Sequence, residues 1–237
     1  MFWAWERPED LRGLAPAAGV AFLRATVEVS PSGARVAPRR QPLRVDETTW
    51  RMAVVRVEFR PRGAALDEAA RAVIVSTLAR VSREPGIRGV QLDLDAPRSM
   101  RADHRRLLAE ARTAIAPGTW LSMTALASWC EGDAWLAGMA VDEVVPMVFS
   151  MGVGGDAILR ALRSRGRFAS PACAASVGWA DGEPTAPMPG VHRSYVFSAR
   201  PWTPEAIARW VGGRGGDVAS SGHGRAVPVV RATRTGD

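Results

Sequence analysis

Apolar and polar residues alternate with period two in three stretches of the first hundred residues. In "GVAFLRATVEV" (19–29) Phe22, Arg24, Thr26 and Glu28 interleave with Leu23, Ala25 and Val27. In "AVVRVEFR" (53–60) Arg56, Glu58 and Arg60 interleave with Val55, Val57 and Phe59, and in "GVQLDLDAP" (89–97) Gln91, Asp93 and Asp95 interleave with Val90, Leu92, Leu94 and Ala96. Successive side chains of a β-strand point to opposite faces, so each stretch is predicted as a strand with one apolar and one polar face. Between the second and third, Leu66 to Glu84 changes to helical spacing, with Asp67 and Glu68 at its start and Pro85-Gly86 at its end.

The same reading continues along the chain. "FWAWE" (2–6) is predicted as the first strand, Pro8 to Leu14 as a short helix, and the turn-rich Ser30–Arg44 as an excursion loop. Met100 to Ala116 is predicted as a helix with Leu107, Leu108 and Ala111 on its apolar face and His104 on its polar side. "TWLSMTALAS" (119–128), "VDEVVPMVFS" (141–150), "SPACAASVGWA" (170–180) and "HRSYVFSARPW" (192–202) complete eight strands. Helices are expected over Asp133–Ala140 and Asp156–Ser164, and behind Thr203-Pro204 through Trp210. Eight strands alternating mostly with helices call for parallel crossovers, and the count points to a compact α/β fold, a (β/α)8 TIM barrel of near-minimum length. An open doubly wound sheet would need strands apolar on both faces, whereas here polar positions recur at every second residue. Residues 1–212 are expected to form this one domain, and the Gly-, Ser- and Arg-rich 213–237 a disordered tail.

Inside a barrel, Asp93 and Asp95 would share the inward face of strand four near its C-terminal end, with Glu58 beside them on strand three. Alternate residues lie about 7 Å apart along a strand, within the roughly 5–9.5 Å over which paired carboxylates cleave glycosides. Crowding of like charges would raise one pKa and keep a proton available. The competing reading pairs Arg24, Arg56 and Arg60 with Glu28, Glu58, Asp93 and Asp95 as an inert layer of ion pairs. Glu6 and Glu131, just past strands one and five, are reserve proton donors. Trp5, Trp129, Trp179 and Trp202 fall at or beyond strand ends, where indole faces suit sugar rings, and Ser122, Thr124 and Ser128 offer hydrogen bonds.

Composition narrows the functional classes. The net charge of +7 is carried entirely by arginine, since the chain has no lysine. A GC-rich genome accounts for that bias, and without a nucleic-acid motif or aromatic interleaving no nucleic-acid partner is predicted. "GVGG" (152–155) lacks the Lys-Ser/Thr ending of a phosphate loop and reads as a turn. His104, His192 and His223 show no ligand spacing, so neither metal nor cofactor is predicted. Cys130 and Cys173 are expected to be free, small core residues. No apolar run is long enough for a membrane span. As written the chain reads as cytoplasmic, with export the alternative if a signal precedes a misassigned start; no oligomeric state is predicted.

Four blocks, "FWAWERPEDL", "VQLDLDAPRSMR", "LSMTALASWC" and "VDEVVPMVFSMG", resemble in order and spacing the bacterial family known as domain of unknown function 3142. The resemblance covers most of residues 2–152. That family has no assigned activity and is similar in turn to glycoside-hydrolase barrels of the family 18 chitinase type, whose fourth strand reads D-x-x-D-x-D-x-E and whose sixth carries M-x-Y-D. Aligned on those motifs, Asp93 and Asp95 match the second and third acids, Val90 stands at the first, and Pro97 replaces the glutamic acid. Met147 matches the methionine, Phe149 replaces the tyrosine, and Ser150 the aspartate. The resemblance therefore implies a sugar-processing scaffold without substrate-assisted chitinase chemistry. On that scaffold Asp95 is expected as nucleophile or base, Glu58 as donor and Asp93 as the group that tunes Asp95, with Met147, Glu6 and the rim tryptophans as substrate wall. The function expected is glycosidase-like action on a carbohydrate, the alternative a non-catalytic barrel that binds a glycan or a protein.

Overall fold

The computed structural model describes residues 1–61, 65–132 and 134–212. The strands are β1 (Phe2–Ala4), β2 (Glu9–Asp10), β3 (Gly19–Ser30), β4 (Gly33–Pro38), β5 (Leu43–Arg44), β6 (Trp50–Phe59), β7 (Ile87–Asp93), β8 (Trp120–Leu126), β9 (Glu143–Met147), β10 (Ser176–Ala180) and β11 (Arg193–Phe197). The helices are α1 (Glu68–Val81), α2 (Arg101–Ala114), α3 (Gly155–Arg165) and α4 (Pro204–Val211). Eight strands, β1, β3 and β6 to β11, pair in parallel, and β1 bonds both β3 and β11 to close the ring. The protein is therefore an α/β barrel of the TIM type. The expected tail, 213–237, lies outside the described residues, as does Asp133.

Four of the six expected helices form, as α1 to α4, and the other two do not. Among the described residues an α-helix follows only β6, β7, β9 and β11. The predicted loop 30–44 contains β4, which returns antiparallel along β3, with Gly33 at φ 120° in the turn. Its turn-forming residues flank a short strand and mask it. The predicted helix over Pro8–Leu14 is instead β2, paired with β5. Where a helix was predicted over 133–140, the described residues 134–140 carry a turn instead, with Gly138 at a left-handed φ of 68°. Thr203 caps α4 as expected, accepting from Ala206 N at 3.2 Å, and Asp67, expected within the first turn, is instead the cap of α1, accepting from Ala70 N at 2.8 Å.

Alternation sends Trp3, Ala21, Met52, Val54, Val145 and Tyr195 into the barrel, where they form its inner core. The opposite faces of β6, β7 and β8 pack under α1 and α2 through Val55, Leu92, Met123, Ile74 and Leu107. At the N-terminal end of the ring, Glu143 closes the floor by accepting from Ser176 Oγ (2.5 Å), Tyr195 OH (2.6 Å) and Arg193 (3.1 Å). The period-two pattern of β3 is broken once. The register against β6 shifts between Leu23 and Ala25, a β-bulge that turns Arg24 away to Glu84 at 2.8 Å. Arg24 therefore does not share the face of Thr26 and Glu28.

Two expectations about the outer layer are overturned. Cys130 and Cys173 are not free: both are fully buried and joined in a disulfide with a Cα–Cα separation of 6.0 Å. The bridge ties the turn after β8 to the turn before β10, positions 43 residues apart that only the fold brings together. His104 is not on a polar side but fully buried, because it shares the apolar stripe of Leu107, Leu108 and Ala111 on α2. Its ring packs against Trp129 and Trp135 at 6.1 and 5.8 Å, and neither nitrogen has a partner among the described residues.

Burial lowers the His104 pKa from 6.5 to about 4. The fold thus holds the ring neutral while the unfolded chain takes up a proton below pH 6.5. The stability due to this group is complete above pH 6.5 and is lost as the pH falls towards 4. At most about 3 kcal/mol is at stake. His104→Leu is expected to flatten this acid limb in urea unfolding; a wild-type midpoint unchanged across the window would contradict the assignment.

Candidate active site

The site grows from the C-terminal ends of β6, β7 and β8. Arg56 and Asp93 are register partners on adjacent strands, and Arg56 Nη1 donates to Asp93 Oδ2 at 3.1 Å. The same guanidinium donates through Nε to Glu58 Oε1 at 3.0 Å. Thr124 on β8 donates to the other Asp93 oxygen at 2.7 Å, leaving Asp93 only 5% exposed. Arg60 donates to Glu58 at 2.7 Å and reaches Glu28 at 3.9 Å. One layer deeper, Gln91 accepts from Trp3 Nε1 at 2.9 Å and donates to Ser122 at 3.0 Å. A chain of ion pairs thus runs from Asp93 to the β3–β4 hairpin, pairing the residues that the ion-pair reading of the sequence joined, except Arg24 and Asp95.

Asp95 stands two residues past the end of β7, exposed, with no hydrogen bond or ion pair among the described residues. Desolvation in the cleft raises its pKa, and the neighbouring Asp93 charge raises it further, against the pull of Arg56. Glu58 differs. Partial burial pushes it up, but the hydrogen bonds from Arg60 and Arg56 outweigh this and hold it below the usual carboxylate range. Three carboxyl groups on one rim therefore divide into two that are pinned by guanidinium groups and one that is free.

Three adjoining cavities cross the barrel mouth, all bordered by Arg56. The first, about 410 Å³, holds Asp95 and Asp93 against Met147, Phe149 and Ser128. The second, about 290 Å³, descends between Trp5, Trp3, Phe197 and Thr124. The third, about 430 Å³, lies under the hairpin with Glu6, Glu28, Arg40, Gln41 and Glu58. Trp5 borders the second and third and lies 5.5 Å below the Arg56 guanidinium. Phe149 and Phe197 stack at 5.6 Å beside it.

Of the residues singled out in the sequence, Asp93, Asp95, Met147, Trp5, Glu58 and Glu6 meet in this trough. Glu6 accepts from the backbone N–H groups of Arg40 and Gln41 at 2.9 and 3.1 Å, which anchors the hairpin. Trp129, Trp179 and Trp202 do not reach it. They are buried and line none of the three cavities. Trp129 packs on His104, Trp202 donates to the Trp3 carbonyl at 2.9 Å, and Trp179 lies in the core beneath the helices. Glu131 pairs with Arg165 outside the cavities. Sequence reasoning missed Phe197, while its ion-pair reading had already set Arg56 among Glu58 and Asp93. Parity with the inward Tyr195 would have found Phe197. Among the described residues no three His, Cys, Asp or Glu side chains gather as a metal site, and no helix is long and apolar enough to cross a membrane.

Comparison with known proteins finds no matching family model and no matching curated protein. Among solved structures, the chain is similar to the chitinase domain of the spore coat protein CotE from Clostridium difficile, with a TM-score of 0.42 and 14% identity over 61% of this chain. It spans 48% of that chain, about half its length.

Proposed function

We propose that this barrel cleaves a glycosidic bond, with Asp95 carrying the proton. The observation that carries this reading is the division of the rim acids: Asp95 is free, faces the open cleft and has a raised pKa, while Asp93 is clamped by Arg56 and Thr124. A protonated Asp95 donates to the bridging oxygen as the bond to the anomeric carbon breaks. The positive charge that develops on the sugar is stabilised by the fixed Asp93 carboxylate. Water then adds to the anomeric carbon and returns its proton to Asp95, releasing a free reducing end and an alcohol. Glu58, held ionised by two guanidinium groups, suits an electrostatic support rather than the donor role expected of it. Trp5, Phe149 and Phe197 provide faces on which sugar rings can lie.

Replacing Asp93 by Asn removes a like charge beside Asp95. The Asp95 pKa should then fall, and the alkaline limb of the kcat/KM profile should move to lower pH. A limb that stays in place would assign the titration to another group.

A second reading is a barrel that binds glycans without cleaving them. It is favoured by the engagement of both Glu58 and Asp93 with Arg56, and by Pro97 at the position where chitinase-type barrels carry glutamic acid. The two readings separate on reducing-end release from an oligosaccharide panel by the wild type and by Asp95→Asn. Release lost in the variant supports hydrolysis. Calorimetric binding without release by either protein selects the second reading, and equal release by both overturns the role of Asp95.

A further inference from the structure

The trough has two ends of opposite chemistry. Under the hairpin it is lined by Glu28, Arg40, Gln41, Glu58 and Arg60. Beyond Asp95 the wall is Leu126, Phe149, Met151, Val153 and Ile158. Val153 is wholly exposed at 109% and Leu126 is 36% exposed, two of only four large hydrophobic side chains left exposed among the described residues. Single exposed apolar residues need no explanation, but these two, with Phe149, Met151 and Ile158, give one cavity wall beside the free carboxyl an apolar character.

The loop that forms this wall is held in shape. Ser150 takes a φ of 49°, unusual for a residue with a side chain. Glu183 secures it, one oxygen accepting from Ser150 N at 3.0 Å and the other from its hydroxyl at 3.3 Å. A Cβ on Gly155 would meet the Met151 Cβ at 2.8 Å, so only glycine lets the chain fold back this closely. Met151 is thereby held at the cavity wall, with Val153 exposed at its mouth.

Resting on the reading of the site as a glycosidase, we propose that its substrate is an amphiphilic glycoside, a sugar bearing an alkyl chain. The sugar lies towards Trp5 and the polar hairpin, the bridging oxygen meets Asp95, and the alkyl chain runs along the wall from Leu126 to Val153. Hydrolysis then yields the free sugar and a fatty alcohol, with water supplying the oxygen at the anomeric carbon.

The test is calorimetric titration with alkyl β-thioglucosides from butyl to octyl, below their micellar concentrations, because thioglycosides resist cleavage and report binding alone. Affinity should rise about two- to fourfold per added methylene. Val153→Asp and Leu126→Asp should each flatten that slope while leaving the thermal midpoint in place. A flat slope in the wild type overturns the proposal and leaves the wall to a segment of a partner protein. An equal slope in the variants also overturns it, placing the chain elsewhere. A steep slope without turnover of the matching O-glycosides would sink the catalytic reading and keep the alkyl site. Turnover of unalkylated sugars with a flat slope would do the reverse.

Discussion

Asp95→Asn is expected to lower kcat by about 10²- to 10⁴-fold, the range for losing a positioned proton donor. That corresponds to about 3–5 kcal/mol of transition-state stabilisation. The fall in wild-type activity as the pH rises through the raised Asp95 pKa should vanish with it, since an amide has no proton to lose there. Folding should hardly notice. Asp95 makes no hydrogen bond among the described residues, and its ionised form is disfavoured beside Asp93, so at neutral pH Asn should leave stability unchanged or raise it slightly. The combination separates a reacting group from a structural one. A variant that keeps its turnover, or that loses turnover only because it melts early, would remove Asp95 from the mechanism.

The second large effect concerns the Cys130–Cys173 bridge. It closes a loop with a sequence separation of 43, and confining the unfolded chain by such a loop stabilises the fold by about 4 kcal/mol. Cys130→Ala with Cys173→Ala, or reduction of the wild type, should cost that much in urea unfolding. The double variant should then be indifferent to reductant. The bridge begins at the end of the turn that carries Ala127 and Ser128 into the first cavity, so reduction should also raise KM for any substrate lodged there. Equal midpoints with and without reductant would show that the thiols are not joined in solution. Such bridges persist in oxidising surroundings, so the medium decides which form operates.

Particular residues show how far the sequence could be read. Strands β6 and β7 were legible because alternation is a local property of extended backbone, and parity alone put Arg56, Glu58 and Asp93 on one inward face. Helix α1 was legible from Asp67 and Pro85-Gly86. His104 was legible too, since it falls in step with Leu107, Leu108 and Ala111, but its polar name outweighed its position. The bulge at Arg24 carried no such signal, because an extra residue in a strand is defined by its partner and not by the strand itself. Trp129, Trp179 and Trp202 were placed near the rim by counting residues along strands. The fold turned them into cores because their large apolar surfaces gain more from burial than from solvent.

By itself the sequence determined the eight strands of the ring, the four helices α1 to α4, and which faces of β6 and β7 are polar. These follow from backbone geometry and hydrophobic spacing within a few residues. The tertiary structure decided the chemistry. Coulombic and hydrogen-bond energies depend on separations between atoms far apart in the chain, and desolvation depends on everything packed around them. Arg56 meets Asp93 across 37 residues and clamps it, Arg60 helps to hold Glu58, and Asp95 is left as the carboxyl free to take up or release a proton.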